Sequence, residues 1–251
     1  MSAALSELSH AVDLAGVFAN AVLGGVVARQ WRMDPVGFVG LAIVSGLGGG
    51  VIRDTLLQHG PPVALTDSRY MATALAGALL AFVAPLRGRL WTVAYPVVDA
   101  LALGTWAAVG AQKTLAVGLS WLPALLLGTI TAVGGGVLRD LTVGRIPQIF
   151  GGNTLYATCA VAASGVEVAF SFRGAPAQGT LFATAVGAGL SMLARWRGWQ
   201  LGQGLAWEYG IERRPGKRLP RFTIRVLRNQ RGRAAASPGR DARRRPPRPS
   251  R

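Results

Sequence analysis

Residues 35–52 carry no charged side chain over 18 positions, and the chain has seven stretches of this kind. Residues 70–86 (17), 120–138 (19) and 178–194 (17) are equally free of charge, and residues 14–28 add a shorter run. Residues 93–112 are interrupted only by Asp99, and residues 154–172 only by Glu167. A helix needs about 20 apolar residues to cross the hydrocarbon core of a bilayer, with a range of about 17–25. One such window fits a buried helix of a soluble protein; seven at regular spacing, joined by short polar links, describe a polytopic all-α integral membrane protein. Composition agrees, with 15% charged residues and a mean hydropathy of +0.35, where a soluble domain carries about 25% charged residues. Ala19-Asn20-Ala21 resembles a signal-peptide cleavage site, but the segment before it holds only Glu7 and His10 and lacks the basic n-region. It reads as the first transmembrane helix.

Two of these stretches nearly repeat each other. GLGGGVIRDTLL at 46–57 returns as AVGGGVLRDLTV at 132–143, an ungapped shift of 86. The same shift aligns Val12-Asp13 with Val98-Asp99, Gly24 with Gly110, Arg53-Asp54 with Arg139-Asp140, Pro61 with Pro147 and Tyr70 with Tyr156. The chain therefore reads as an internal duplication: an N-terminal segment 1–11, three-helix repeats at 12–92 and 93–173, a seventh helix at 174–196 and a basic tail at 197–251. With three helices per repeat, the second copy enters the membrane from the side opposite to the first. That is the inverted-repeat plan of many transport proteins.

Orientation follows from loop charge. One side receives Arg29, Arg32, Arg87, Arg89, Arg145 and the tail; the other receives Arg69, Lys113 and Arg173. Residues 197–251 hold 16 Lys/Arg against 3 Asp/Glu, so most of the chain's net +16 sits there. The expected topology is a plasma-membrane protein with its N-terminus outside and its C-terminus in the cytoplasm. The tail is rich in Arg, Pro and Gly, a composition that buries little apolar surface and is expected to be disordered. Basic runs beside a membrane attract anionic lipid; no base-reading motif supports nucleic-acid binding.

Three glycines in a row cost a helix interior roughly 1 kcal/mol each against alanine. Gly48, Gly49, Gly50 and Gly134, Gly135, Gly136 admit two readings. Small residues let helices touch in lipid; alternatively they kink or unwind the backbone beside an aqueous path, where carbonyls replace water around a cation. Their symmetric placement favours the path. Asp13 opens the first helix on the side where Arg53 closes the second, and Asp99 and Arg139 share the other side. Ion pairs Asp13–Arg53 and Asp99–Arg139 are expected, with Asp54 and Asp140 nearby. Lys113 closes the fourth helix as a snorkelling side chain or a gating group. Glu167, an intramembrane carboxylate, is either functional or hydrated near the outer interface. The lone Cys159 reads as a packing residue. His10 and His59 have no metal-ligand companions in sequence, and nothing resembles a nucleophile elbow, a P-loop or a cofactor fingerprint. An enzyme, a metal site and a cofactor are not expected.

The doubled GGG-x-x-RD, the Asp opening each unit, the GAQK of the fourth helix and the extra seventh helix resemble the bacterial branch of the trimeric intracellular cation (TRIC) channel family, over about residues 11–196. The resemblance implies a homotrimer with a pore in each protomer, conducting monovalent cations, chiefly potassium, past second and fifth helices kinked at the glycine triplets. It implies a gating role for Lys113. The loop QHGPPVALTDSR lacks the eukaryotic lipid-binding signature, so phosphoinositide regulation is not implied. The same bacterial family has also been assigned to glycine uptake, a carrier mechanism for a small amino acid, and the residues leave channel and carrier both open.

Overall fold

The computed structural model describes residues 3–84, 88–150 and 155–199, and within them the chain is all helix. The elements are α1 (Ala3–Gln30), α2 (Pro35–Leu57), the four-residue α3 (Val63–Thr66), α4 (Ser68–Val83), α5 (Arg89–Ala116), α6 (Trp121–Thr142), α7 (Tyr156–Phe172) and α8 (Pro176–Arg197). Five of them are long and apolar enough to cross a membrane, at 21–25 residues; α4 and α7 are shorter apolar helices. The side chains they leave exposed are those of a lipid-facing surface, among them Leu75, Leu79 and Phe82 on α4 and Leu122 and Leu126 on α6.

Helix ends differ from the charge windows for a simple reason. A charge-free window marks what the hydrocarbon tolerates, whereas a helix runs until a breaker stops it. So α1 begins at Ala3, ahead of the expected 12, and α5 begins at Arg89, ahead of 93. The stops themselves are local. Asp34 accepts the Gly37 amide at 2.7 Å with Pro35 as the first helical residue, an N-cap with its preferred neighbour. Asp67 caps α4 in the same way, accepting the Arg69 amide at 2.9 Å. Arg29, at the end of α1, donates to the carbonyls of Ala81 and Phe82 at 2.6 and 2.5 Å, satisfying the C-terminal carbonyls of α4.

The helices pack in two groups. α1, α2 and α4 contact one another, as do α5, α6 and α7; α2 against α6 and α1 against α5 join the groups, and α8 lies on α5 and α7. The core is unusually fine-grained. Its buried cluster is dominated by Ala, with Val17, Leu103, Trp106 and Tyr70 as the larger members, because helices in lipid associate through close backbone approach. The expected tail beyond Trp199 and the first two residues of the N-terminal segment lie outside the described residues.

Candidate functional site

The glycine triplets sit where α2 and α6 cross. Both helices remain continuous α-helix through them, so the expected unwinding is absent. The reason is visible in what a side chain would meet. A Cβ on Gly49 would lie 2.2 Å from the Thr131 carbonyl oxygen, and a Cβ on Gly135 would lie 2.2 Å from that of Ser45. These two contacts are each other's image, since Ser45 and Thr131, like Gly49 and Gly135, are 86 apart. Gly48 and Gly134 are also buried in the crossing, with built Cβ atoms 2.7 Å from Leu138 Cδ1 and 3.1 Å from Gly49 Cα. Residue 49 meets 131 while residue 45 meets 135 and 139, so the two helices run antiparallel.

The third glycine of each triplet behaves differently. Beside Gly50 the nearest atom is Arg53 Nη2 at 3.8 Å, and beside Gly136 it is Arg139 Nη2 at 3.5 Å. Each lines a small cavity. The first, about 20 Å3, is walled by Asp13, Gly50, Arg53, Asp54, Tyr70 and Thr131, among others. The second, about 10 Å3, is walled by Asn20, Gly136, Arg139, Asp140, Gln148 and Tyr156, among others. Volumes of this size hold about one water. Beyond the second lies a wider cavity of about 320 Å3, which Arg139 and Asp140 share with Val26, Gln30, Tyr95 and Arg145. α1 is a ruler for these spaces: Asp13 lines the first, Asn20 the second and Gln30 the third. At 1.5 Å per residue, that is about 25 Å along the helix.

The charged residues meet, but not in the expected pairs. Arg53 bonds its own neighbour, Nε donating to Asp54 Oδ1 at 2.7 Å with Nη2 also at 2.7 Å. Asp13 instead accepts the Tyr70 hydroxyl at 2.6 Å and faces Lys113 Nζ at 3.9 Å. In the second copy Arg139 Nε stands 3.6 Å from Asp140 Oδ1. Asp99 accepts the Tyr156 hydroxyl at 3.0 Å and pairs with Arg195 of α8. The expected Asp13–Arg53 and Asp99–Arg139 pairs are thus replaced by pairs within the Arg-Asp dipeptides and by cations from α5 and α8. Adjacent residues near the end of a helix reach each other without help, whereas Asp13 and Asp99, expected to open their helices, lie inside α1 and α5, which start at Ala3 and Arg89, and there each meets the tyrosine that the third helix of its group brings. Both Asp–Tyr bonds span 57 positions.

The second oxygen of each dipeptide Asp is used as well. Asp54 Oδ2 accepts the Val63 amide at 3.0 Å and Asp140 Oδ2 accepts the Gln148 amide at 3.2 Å, tying each loop after the glycine helix back onto it. Sequence reasoning aligned Tyr70 with Tyr156 and stopped there; the tyrosines' position at the 86-residue shift was the available signal. Arg195 had none, because α8 lies outside the duplication. His10, without a partner in sequence, meets Asp67 Oδ2 at 3.0 Å and lies edge-on to Tyr70 at 5.5 Å between centroids. Asp67 is held well below the usual carboxylate range, at about 2, chiefly by the Arg69 side chain that donates to it. Among the described residues no group of His, Cys, Asp and Glu is placed to hold a metal.

Known proteins are similar to this chain. The glycine transporter family profile matches residues 10–85 and 96–172. A UPF0126 membrane protein of Deinococcus radiodurans is 36% identical over 193 residues, covering 76% of this chain and 88% of that protein. The UPF0126 inner membrane protein YadS of Escherichia coli K12 is 34% identical over 157 residues, covering 61% and 74%. Among solved structures, one described under conductance through TRIC cation channels superposes with a TM-score of 0.71 at 31% identity, covering 78% of this chain and 97% of that one. The TRIC orthologue of Rhodobacter sphaeroides superposes at 0.65 with 31% identity, covering 76% and 96%. Two copies of the glycine–arginine–aspartate unit on a helical membrane fold, matched over most of the chain, have one explanation: the chain belongs to the glycine transporter family, which is the family of the TRIC cation channels, and is a multi-pass membrane protein.

Proposed function

We propose that this protein is a monovalent-cation channel, with potassium its principal ion and a pore in each protomer beside the crossing of α2 and α6. One observation carries the reading. Gly50 and Gly136 leave the helix crossing on opposite sides, and each lines a water-sized cavity with an Arg-Asp pair and a tyrosine whose hydroxyl donates to a second Asp. Bare backbone next to fixed carboxylates suits a cation that sheds water. The crossing between the two cavities is the constriction, and the glycines there allow it to open without a side chain in the way.

Seven spanning helices in two inverted three-helix units, with α8 as the seventh, fit the antiparallel crossing and the paired contacts of equivalent residues. The matched TRIC structures are of cation channels, one of them called trimeric; a homotrimer is the assembly proposed here. With the N-terminus outside and the C-terminus in the cytoplasm, the Asp13 cavity is on the outer side and the Asp140 cavity on the inner. Lys113, held near Asp13 across the gap between the two groups of helices, is the gating candidate.

The second reading is a carrier for glycine or another small amino acid. It is favoured by the family's description and by the cavity of about 320 Å3 beside Arg139, a size at the lower end of small-molecule sites. Purified protein in liposomes separates the two. Potassium flux down a gradient that does not saturate, and that falls on replacing Gly50 or Gly136, is the expected result. Saturable counterflow of labelled glycine with no accompanying current overturns it in favour of the carrier.

A further inference from the structure

Glu167 is a fully buried acidic side chain that plays no part in either charged cavity. It lies in α7 with none of its surface exposed. Its partners are two hydroxyls. Ser171 Oγ donates to Oε1 at 3.1 Å, and Thr180 Oγ1, on α8, is 3.2 Å from Oε2. Among the described residues no cation pairs with it. The neighbouring helices keep their charges elsewhere: Asp99 of α5 pairs with Arg195 of α8, Lys113 of α5 faces Asp13, and Arg139 and Asp140 of α6 face each other. Tyr95 of α5 lines a cavity with Arg139, and Arg197 of α8 packs over Trp196 and Trp199. On α7 itself Tyr156 bonds Asp99 and Cys159 is a free, buried thiol, both more than a turn away. An isolated carboxylate buried in this way is far too costly to keep its charge, and such a group neutralises instead.

The hydrogen-bond inventory leaves a place for the proton. Thr180 Oγ1 is also 3.2 Å from the Pro176 carbonyl oxygen, one turn back along α8. A threonine hydroxyl has a single proton to give. Donated to Pro176, as helical threonines commonly do, it leaves a lone pair facing Oε2. The contact is then a hydrogen bond only with a proton on Oε2. Oε1 remains the acceptor for Ser171, and every polar atom of the cluster is satisfied. The seat is shaped for it: a Cβ on Gly179 would lie 2.9 Å from Oε2, so the carboxyl rests directly on the backbone of α8. From there the contacts continue, Thr184 Oγ1 donating to the Thr180 carbonyl at 2.7 Å and meeting Thr105 Oγ1 of α5 at 3.3 Å.

We propose that Glu167 is a proton-binding site, a neutral carboxylic acid whose Oε2–H donates to Thr180 and clasps α7 to α8. Raising the pH removes the proton, leaves a buried charge against a lone pair, and releases the clasp. Because α8 also carries Arg195, the partner of Asp99, the release frees a helix that holds one of the two tyrosine-bound carboxylates, whichever species the protein transports.

Infrared spectroscopy of the purified full-length protein tests this directly. The wild type at neutral pH should show the carbonyl-stretch band of a protonated carboxylic acid, and Glu167→Gln should lose it. Thr180→Val should keep the band but shift it toward a carbonyl whose hydroxyl is unbonded. Thermal midpoints across pH give the second readout. The wild type should fall as pH rises into the alkaline range, while Glu167→Gln, whose amide still donates to Thr180 and accepts from Ser171, should stay flat. Absence of the band in the wild type, its survival in Glu167→Gln, or an alkaline loss of stability common to both proteins overturns the assignment.

Discussion

The two charged cavities are built from the same parts and differ in how tightly those parts are held. Backbone contacts repeat closely: Gly49 on Thr131 and Gly135 on Ser45, each at 2.2 Å from a built Cβ. The tyrosine–aspartate bonds repeat too, at 2.6 and 3.0 Å. Cations do not. Arg53 grips Asp54 at 2.7 Å where Arg139 stands 3.6 Å from Asp140. Asp13 has Lys113, with a side chain 34% exposed and 3.9 Å away, where Asp99 has Arg195 from outside the duplication, packed in contact. Duplicated chains keep what sterics forbid them to change. A glycine facing a carbonyl has no substitute, whereas a long basic side chain can reach one carboxylate from several helices.

The comparison breaks most readily at the glycines. Gly49→Ala and Gly135→Ala should each cost about 3 kcal/mol by overpacking the crossing, seen as a lower thermal midpoint in detergent. Gly50→Ala and Gly136→Ala should leave stability unchanged or raise it by up to about 1 kcal/mol, while reducing flux in liposomes. Equal losses at all four positions would mean that the third glycine is a packing residue like the others.

The aspartates come next. Asp99→Asn strands Arg195 and should cost about 2 kcal/mol, against about 1 kcal/mol for Asp13→Asn, whose cation reaches water. Double-mutant cycles with Arg195 and Lys113 measure the two couplings, and equal values would erase the difference between the cavities. Lys113→Met should shift stability by only about 0.5 kcal/mol, as a partly exposed pair does, yet change flux well beyond that. A flux loss no larger than the loss of folded protein would make Lys113 a snorkelling side chain.

The smallest effect belongs to Asp67. Its carboxylate is held at about 2 against an ordinary 3.8 by the Arg69 side chain, so the stabilisation is present above the ordinary value and is lost as pH falls through about 2. Thermal midpoints of wild type and Asp67→Asn should therefore differ by a constant amount from neutral pH down to about pH 4, and converge only below that.

The helical membrane class and the repeated motif were legible in the chain because each rests on a one-dimensional pattern: window length, charge and a recurring stretch of residues. The 86-residue shift singled out Arg53, Asp54, Arg139 and Asp140, which line the cavities, and Asp13 and Asp99, which the two tyrosines bind; Lys113, opposite Val27 at that shift, was singled out only by its place near the end of the fourth helix. Their partners were not legible. Pairing Asp13 with Arg53 used only which end of the membrane each residue reaches, and several side chains share an end. Arg195 and Glu167 show the limit most clearly, since α8 has no counterpart in the repeat to announce what it contributes.

By itself the sequence determined that this chain crosses a membrane many times and does so twice over with one motif, since burying backbone in lipid leaves helices as the only solution for such runs. Only the tertiary structure decided that two glycines of each triplet pack while the third lines a cavity, which carboxylate meets which cation, and that Glu167 answers to two hydroxyls. Those outcomes depend on the rotation of each helix about its axis and the depth of its crossing. Ångström-scale contacts between residues far apart in the chain set both.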